Sequence, residues 1–194
     1  MDAMNANISW ILWLVWYVYW IVSSRNRIRS TGTSQAKTES AVGRLAYMGL
    51  MIGGFLLLIW HTSQPFLAKR FWPSAGVEWI TGLAVQTAGL AFSIWARHTL
   101  GKNWTGRVTT GGTQELVIRG PYKIVRHPIY SGLLTAILGT AIMVGQMRAF
   151  VGFLIILVAV LMKLRREEKA LRGHFGPSYE VYAHRVGGLL PRLG

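Results

Sequence analysis

A chain of 194 residues has room for one domain of ordinary size, and with 52% apolar and only 14% charged residues it carries less charge than soluble domains do. The 21 Lys and Arg against 7 Asp and Glu give a net charge of +14, which on a soluble protein would point to nucleic acid; set between long apolar runs, it points to membrane lipids with anionic headgroups, or to an anionic cofactor, and to no nucleic acid. The absence of cysteine excludes a disulfide framework, a Cys-ligated metal and a thiol nucleophile.

The first apolar stretch runs from Ile8 to Val22. Met1 to Asn7 lacks a basic n-region and no small-residue cleavage site follows, so this span is expected to be retained. Trp10, Trp13, Trp16, Tyr17, Tyr19 and Trp20 crowd it, rings that suit interfacial depth or packing against other helices. Ser23 to Ser40, rich in Ser, Thr and Arg, reads as a mobile loop without a chemical motif. Further stretches follow at Ala41 to Trp60, Trp79 to Ala96, Ile129 to Met147 and Ala149 to Met162. Several fall short of the ~20 residues that cross a bilayer core and need a residue or two more at the interfaces. The last two, joined around Gln146 to Arg148, are expected to form a tight antiparallel hairpin. Gly49, Gly53, Gly54, Gly82, Gly89, Gly132 and Gly139 lie inside spans and read as close helix contacts rather than a nucleotide loop. The expected fold class is all-α, a polytopic membrane protein with about five transmembrane helices.

Orientation follows from the basic residues. Eighteen of the 21 fall on one side of these spans, and only Lys69, Arg70 and Arg148 on the other. The positive-inside rule then places the N-terminus outside and the C-terminus in the cytoplasm, in the plasma membrane of a prokaryote or the endoplasmic reticulum of a eukaryote.

Two polar segments remain, both on the basic side. The first runs from Arg97 to Gly132, with turn signals at Gly111-Gly112 and Gly120-Pro121 and a short extended piece possible at Gln114 to Ile118. His127 precedes Pro128, whose ring biases it away from helical geometry and suits the first turn of the fourth span. Arg126, His127 and Tyr130 are thus expected at a helix N-terminus, where backbone N–H groups and the dipole favour an anion. The second segment, Lys163 to Pro191, opens as a helical continuation of the fifth span. Lys163 and Glu167 share a helix face there, and Glu168 points about 100° away.

Each signal also has a plain structural meaning. Glu167 and Glu168 beside two arginines make a self-compensating solvated face, and a lone histidine before proline is commonly structural. Phe175, Tyr179 and Tyr182 recur at near-helical spacing, which suits an amphipathic helix packed on the membrane face. Asn103-Trp104-Thr105 matches a glycosylation sequon, which is unusable on the cytoplasmic side.

The order GPYKIVRHPIYSG, an apolar hairpin, then EEKALRGHFGPSYEVYAHRVGGLLP resembles the isoprenylcysteine carboxyl methyltransferase family, with phospholipid N-methyltransferases similar over the same region. The resemblance covers Arg97 to Pro191, half the chain. It implies an enzyme with S-adenosyl-L-methionine in a cytoplasmic pocket between the last helices, and a lipophilic small-molecule or prenylated substrate arriving from the bilayer. Residues 1–96 would then hold the first three transmembrane helices with a cytoplasmic loop at 23–40. Residues 97–194 would be the catalytic region, with a helical hairpin at 129–162 and a cytoplasmic tail. Carried over by motif, the cofactor contacts are Gln114, Glu115, Leu116, Val117, Tyr122, His127, Pro128, Ile129, Tyr130 and Glu167, with Glu168 as the adjacent carboxylate. Lys163, four before the first Glu, is the acceptor-side catalytic residue beside Glu167. The family often has His at the position of Gln114 and usually Arg at that of Lys163, and a Lys gives a point charge where Arg gives a fork.

The residues agree with that cofactor chemically. Its ammonium suits Glu167 or Glu168, its carboxylate suits the N–H and basic groups around His127, and its adenine suits Tyr122, Tyr130 or the Phe175–Tyr182 face. The acceptor is left open between an isoprenylcysteine-like carboxyl, a phospholipid and a small lipophilic amine or thiol. The competing readings are a sterol-reductase-like enzyme using NADPH, which would carry extra helices, and a non-enzymatic lipid-binding membrane protein.

Overall fold

The computed structural model describes residues 3–24, 41–60, 62–72, 76–101 and 115–192. Gln114, the 103–105 sequon and the loop expected at 23–40, apart from the last turn of the first helix, lie outside the described residues. Every regular element among the described residues is helical: α1 (Ala3–Ser24), α2 (Ala41–Ile59), the short α3 (Pro65–Ala68), α4 (Val77–Leu100), a 3-10 turn (Gly120–Lys123), α5 (Pro128–Val144), α6 (Met147–Phe175) and α7 (Pro177–Arg185).

Four of these helices, α1, α2, α4 and α6, are long and apolar enough to cross a membrane, and α5 is apolar but has 17 residues. At 1.5 Å per residue α5 rises ~26 Å, a little under the ~30 Å of a hydrocarbon core. The five expected spans therefore appear as four by length plus one shorter apolar helix, and the chain is an integral membrane protein. α6 outruns its apolar stretch because Lys163 to Leu171 contains only good or tolerable helix formers. It stops at Gly176, whose φ of 53° is cheap only for glycine, and Pro177 then opens α7.

Without a hydrophobic drive between helices in lipid, close backbone approach and buried hydrogen bonds hold the bundle. α4 and α5 meet through two glycine pairs in antiparallel register. A Cβ on Gly82 would stand 2.6 Å from the carbonyl oxygen of Gly139, and one on Gly89 would stand 2.5 Å from that of Gly132. α2 meets α6 the same way, a Cβ on Gly152 falling 2.6 Å from the Gly54 carbonyl. Gly49 and Gly53 face open space, so the close-contact reading fails for those two. α5 and α6 turn on Gly145 and Gln146 alone, as expected, yet the glycine contacts of each are with another helix: α4 for α5, α2 for α6.

The aromatic residues of α1 divide by face. Trp13 donates to Thr140 Oγ1 at 3.2 Å and Trp16 to Ser93 Oγ at 2.8 Å, while Trp10 and Tyr17 are exposed on the apolar surface. Ser9 Oγ donates to Gln86 Oε1 at 2.9 Å, and Gln86 returns a bond to the Ser9 carbonyl, which satisfies a fully buried amide.

Two buried arginines close the ends. Arg97 donates to the Ser23 carbonyl at 2.5 Å and the Gly101 carbonyl at 3.0 Å, tying the last turn of α1 to the residue that follows α4. At the other end Arg148 donates to the carbonyls of Leu57 and Leu58, at 3.0 and 2.7 Å, in the last turn of α2. Lys69 and Arg70 lie at this second end too, since Met147 N–H donates to the Lys69 carbonyl and Arg70 bridges Gln146. Lys69, Arg70 and Arg148, the three basic residues set apart in the sequence, thus share one end of the bundle, opposite Arg97 and the α5 N-terminus.

Candidate functional site

The polar site forms where the 3-10 turn, the start of α5, the end of α6 and α7 converge. Gly120 takes φ 57° and Pro121 fixes the turn that buries Tyr122. His127 caps α5 with φ −122° and ψ 58°, the non-helical geometry expected before Pro128. The tail then runs beside this loop: Arg126 N–H donates to the Gly187 carbonyl at 2.8 Å, His127 N–H to that of Gly188 at 3.1 Å, and Ser131 Oγ to that of Leu189 at 2.6 Å.

The two adjacent glutamates have different surroundings. Glu168 Oε1 receives His127 Nε2 at 2.7 Å, Arg126 Nε at 2.9 Å and the Tyr179 hydroxyl at 3.0 Å, while its Oε2 lies 3.6 Å from the Arg172 guanidinium. Burial by itself would raise this carboxyl, but the hydrogen bonds from His127 and Arg126 outweigh it and hold the group at about 2. Burial, reinforced by the Glu168 charge, pushes the Tyr179 phenol up and keeps it a donor. Glu167 is more open, 27% exposed against 18% for Glu168. Its Oε1 accepts the Tyr130 hydroxyl at 2.6 Å and lies 4.0 Å from Lys163 Nζ, and its Oε2 has His127 Nδ1 at 3.9 Å.

The structure therefore brings together His127, Tyr130, Lys163, Glu167 and Glu168, with Pro128 buried beneath them and Ile129 half-buried. Tyr122 joins from below, its carbonyl accepting the Tyr182 hydroxyl at 2.7 Å. Glu115 is exposed, and Leu116 and Val117 half-buried, in a segment without helix. The basic groups expected to offer an anion site at the α5 N-terminus already hold one, the protein's own Glu168, and Arg126 is further bonded to the carbonyls of Ala183 and Val186.

Tyr179 and Tyr182 correct another expectation. Their side of α7 is buried against α6 and the 122–127 loop rather than laid on a membrane face, with Tyr179 only 1% exposed. Sequence reasoning also missed Tyr47 of α2, whose ring lies 6.0 Å from Lys163 Nζ and 5.6 Å from the Arg166 guanidinium carbon. Its partners lie more than 100 residues away, and no local spacing could announce them. Among the described residues no group of His, Asp and Glu is arranged to hold a metal ion.

Fold and site together define a polytopic helical membrane protein with a carboxylate, tyrosine and lysine site at the boundary of its apolar bundle. Residues 82–173 match the model of the isoprenylcysteine carboxyl methyltransferase (ICMT) family. It is 36% identical over 115 residues, 59% of this chain and 55% of the other, to a protein of Oryza sativa subsp. indica named "Probable protein-S-isoprenylcysteine O-methyltransferase". It is also 27% identical over 134 residues, 69% of this chain and 46% of the other, to methanethiol S-methyltransferase 1 of Bradyrhizobium diazoefficiens. The fold matches the structure of a eukaryotic intramembrane Ras methyltransferase ICMT with a TM-score of 0.58 and 22% identity, covering 92% of this chain and 62% of that one. The chain spans about half the length of these two sequence relatives.

Proposed function

We propose that this protein is an integral membrane methyltransferase that uses S-adenosyl-L-methionine to methylate a lipophilic acceptor, an isoprenylcysteine-like carboxyl first among them. Residues 97–194 form its catalytic region, with the N-terminus outside and the C-terminus in the cytoplasm. The observation that carries this reading is the division of labour between the two glutamates. Glu168 is held by His127, Arg126 and Tyr179, whereas Glu167 Oε2 lies 3.9 Å from His127 Nδ1, beyond hydrogen-bond reach.

That donor set suits the cofactor. Glu167 offers a carboxylate to its ammonium, and Tyr130 and Tyr122 offer aromatic walls to its adenine. When bound, the cofactor supplies an electrophilic methyl group on a sulfonium. The Tyr130 hydroxyl orients the Glu167 carboxylate through the 2.6 Å bond, and Glu168 fixes the α6 end against the 126–127 loop so that the two walls keep their spacing. Lys163, one turn before Glu167, sits where the apolar part of α6 ends, placed to meet an anionic headgroup from the bilayer. A carboxylate acceptor is already a nucleophile and needs no general base. An amine would have to lose a proton, and a thiol gains by losing one. The methanethiol-named relative supports the thiol as the second reading.

The test is methyl transfer from tritium-labelled S-adenosyl-L-methionine by detergent-purified protein, offered N-acetyl-S-farnesyl-L-cysteine, farnesyl thiol and phosphatidylethanolamine in parallel. Label in the farnesylcysteine ester supports the carboxyl reading, and label in the thioether supports the thiol reading. Binding of NADPH in place of S-adenosyl-L-methionine would overturn both.

A further inference from the structure

The family match begins at residue 82, yet α2, which lies wholly before it, reaches the site. The Tyr47 ring receives two cations from consecutive turns of α6: Lys163 Nζ at 6.0 Å and the Arg166 guanidinium at 5.6 Å from its centre. Lys163 lies between two aromatic rings, since Tyr130 stands 5.4 Å away on the other helix. Gly43, one turn before Tyr47 on the same face of α2, leaves room for the Arg166 guanidinium, which would have to shift if a Cβ stood there. Both cations therefore have aromatic support at a spacing of three residues, about 5 to 6 Å between their Cβ atoms. Such contacts lie within the ~6 Å reach of cation–π attraction and limit the freedom of two long side chains.

We propose that Tyr47 is a positioning residue of the site: its ring holds Lys163 and Arg166 as a two-cation rim that favours lipophilic acceptors carrying a carboxylate. The inference rests on the methyltransferase reading above. Lys163 sits between Glu167 and the end of the apolar helix, so a headgroup arriving from lipid meets this rim before it reaches the reacting centre. A neutral acceptor gains little from two held cations, whereas a carboxylate gains from both.

The experiment uses the full chain in detergent, with Tyr47→Leu and Tyr47→Phe compared to wild type. Three quantities are read: KM for N-acetyl-S-farnesyl-L-cysteine and for farnesyl thiol, Kd for S-adenosyl-L-methionine, and the rate at which an amine-acylating reagent labels Lys163. Tyr47→Leu should raise the farnesylcysteine KM roughly three- to thirty-fold, the range set by cation–π energies, leave the thiol KM and the cofactor Kd unchanged, and speed labelling of Lys163. Tyr47→Phe, which keeps the ring, should behave as wild type. Equal losses on both acceptors, a Phe variant as impaired as Leu, or unchanged Lys163 labelling would overturn the proposal. Should wild type methylate neither acceptor, the function reading fails together with the acceptor preference, and the labelling arm shows separately whether Tyr47 holds Lys163.

Discussion

Nε2 of His127 lies 2.7 Å from Oε1 of Glu168, a contact that ties the first residue of the α5 cap to a helix 41 residues further on. Arg126 and Tyr179 converge on the same oxygen, so one carboxylate joins the site loop, α6 and α7. Glu167, its neighbour in sequence, is left for other work.

Glu168→Gln keeps the size and removes the charge that Arg126 and His127 face. Hydrogen bonds to charged groups contribute roughly 1.5 to 3 kcal/mol each, and the Arg126 guanidinium loses its ionic partner while keeping its bonds to the Ala183 and Val186 carbonyls. The variant should unfold several degrees below wild type in detergent. The site loop should open as well, read as faster amide exchange at Arg126 and His127.

The same carboxylate sets an acid limb. Its pKa falls from an ordinary 4.5 to about 2 on folding, so the stabilisation is fully present above 4.5 and is lost as pH falls through the folded value. Between pH 5 and 2 the melting temperature of wild type should fall more steeply than that of Glu168→Gln. Parallel acid limbs would show that Glu168 is not held as described.

The α4–α5 glycine pairs leave no room for a side chain. Gly89→Val should cost about 1 to 3 kcal/mol or more, because the atoms in the way are backbone of Gly132 and Ala136. Gly49→Val, which faces open space on α2, should be nearly neutral. Thermal unfolding of both variants in one detergent makes the comparison.

Lys163→Ala should weaken use of an anionic acceptor while leaving cofactor binding nearly intact, and Lys163→Arg should keep activity or improve it by restoring the fork. The 4.0 Å separation from Glu167 Oε1 makes this a sharp test. A loss of cofactor affinity as large as the loss in acceptor KM would move Lys163 into the cofactor site.

Much of this was legible in the sequence, for identifiable reasons. Apolar runs located α1, α2, α4, α5 and α6 because hydrocarbon demands continuous apolar surface, and the His127-Pro128 step marked the α5 cap because proline restricts its predecessor. The pairing of Lys163 with Glu167 followed from helical spacing. What spacing could not carry was contact between distant segments: Arg126 with Glu168, Tyr179 with Glu168, and Tyr47 with Lys163. Tyr179 and Tyr182 show the limit well. Their period signalled an amphipathic helix, but a period does not say whether its buried face meets lipid or protein. The 65–72 segment, which seats Lys69 and Phe71 against the α5–α6 turn, carries too short a helix to leave a periodic signal.

The central claim is that Glu167 takes the cofactor's ammonium while Glu168 holds the fold. Isothermal titration of S-adenosyl-L-methionine into detergent-purified wild type and Glu167→Gln tests it most directly. The account predicts measurable binding by wild type and a loss of roughly 10- to 150-fold in Glu167→Gln, equivalent to ~1.5 to 3 kcal/mol for a charged hydrogen bond, with the melting temperature of the free protein unchanged. An unaltered dissociation constant in a folded Glu167→Gln variant, or no binding by wild type, would contradict it.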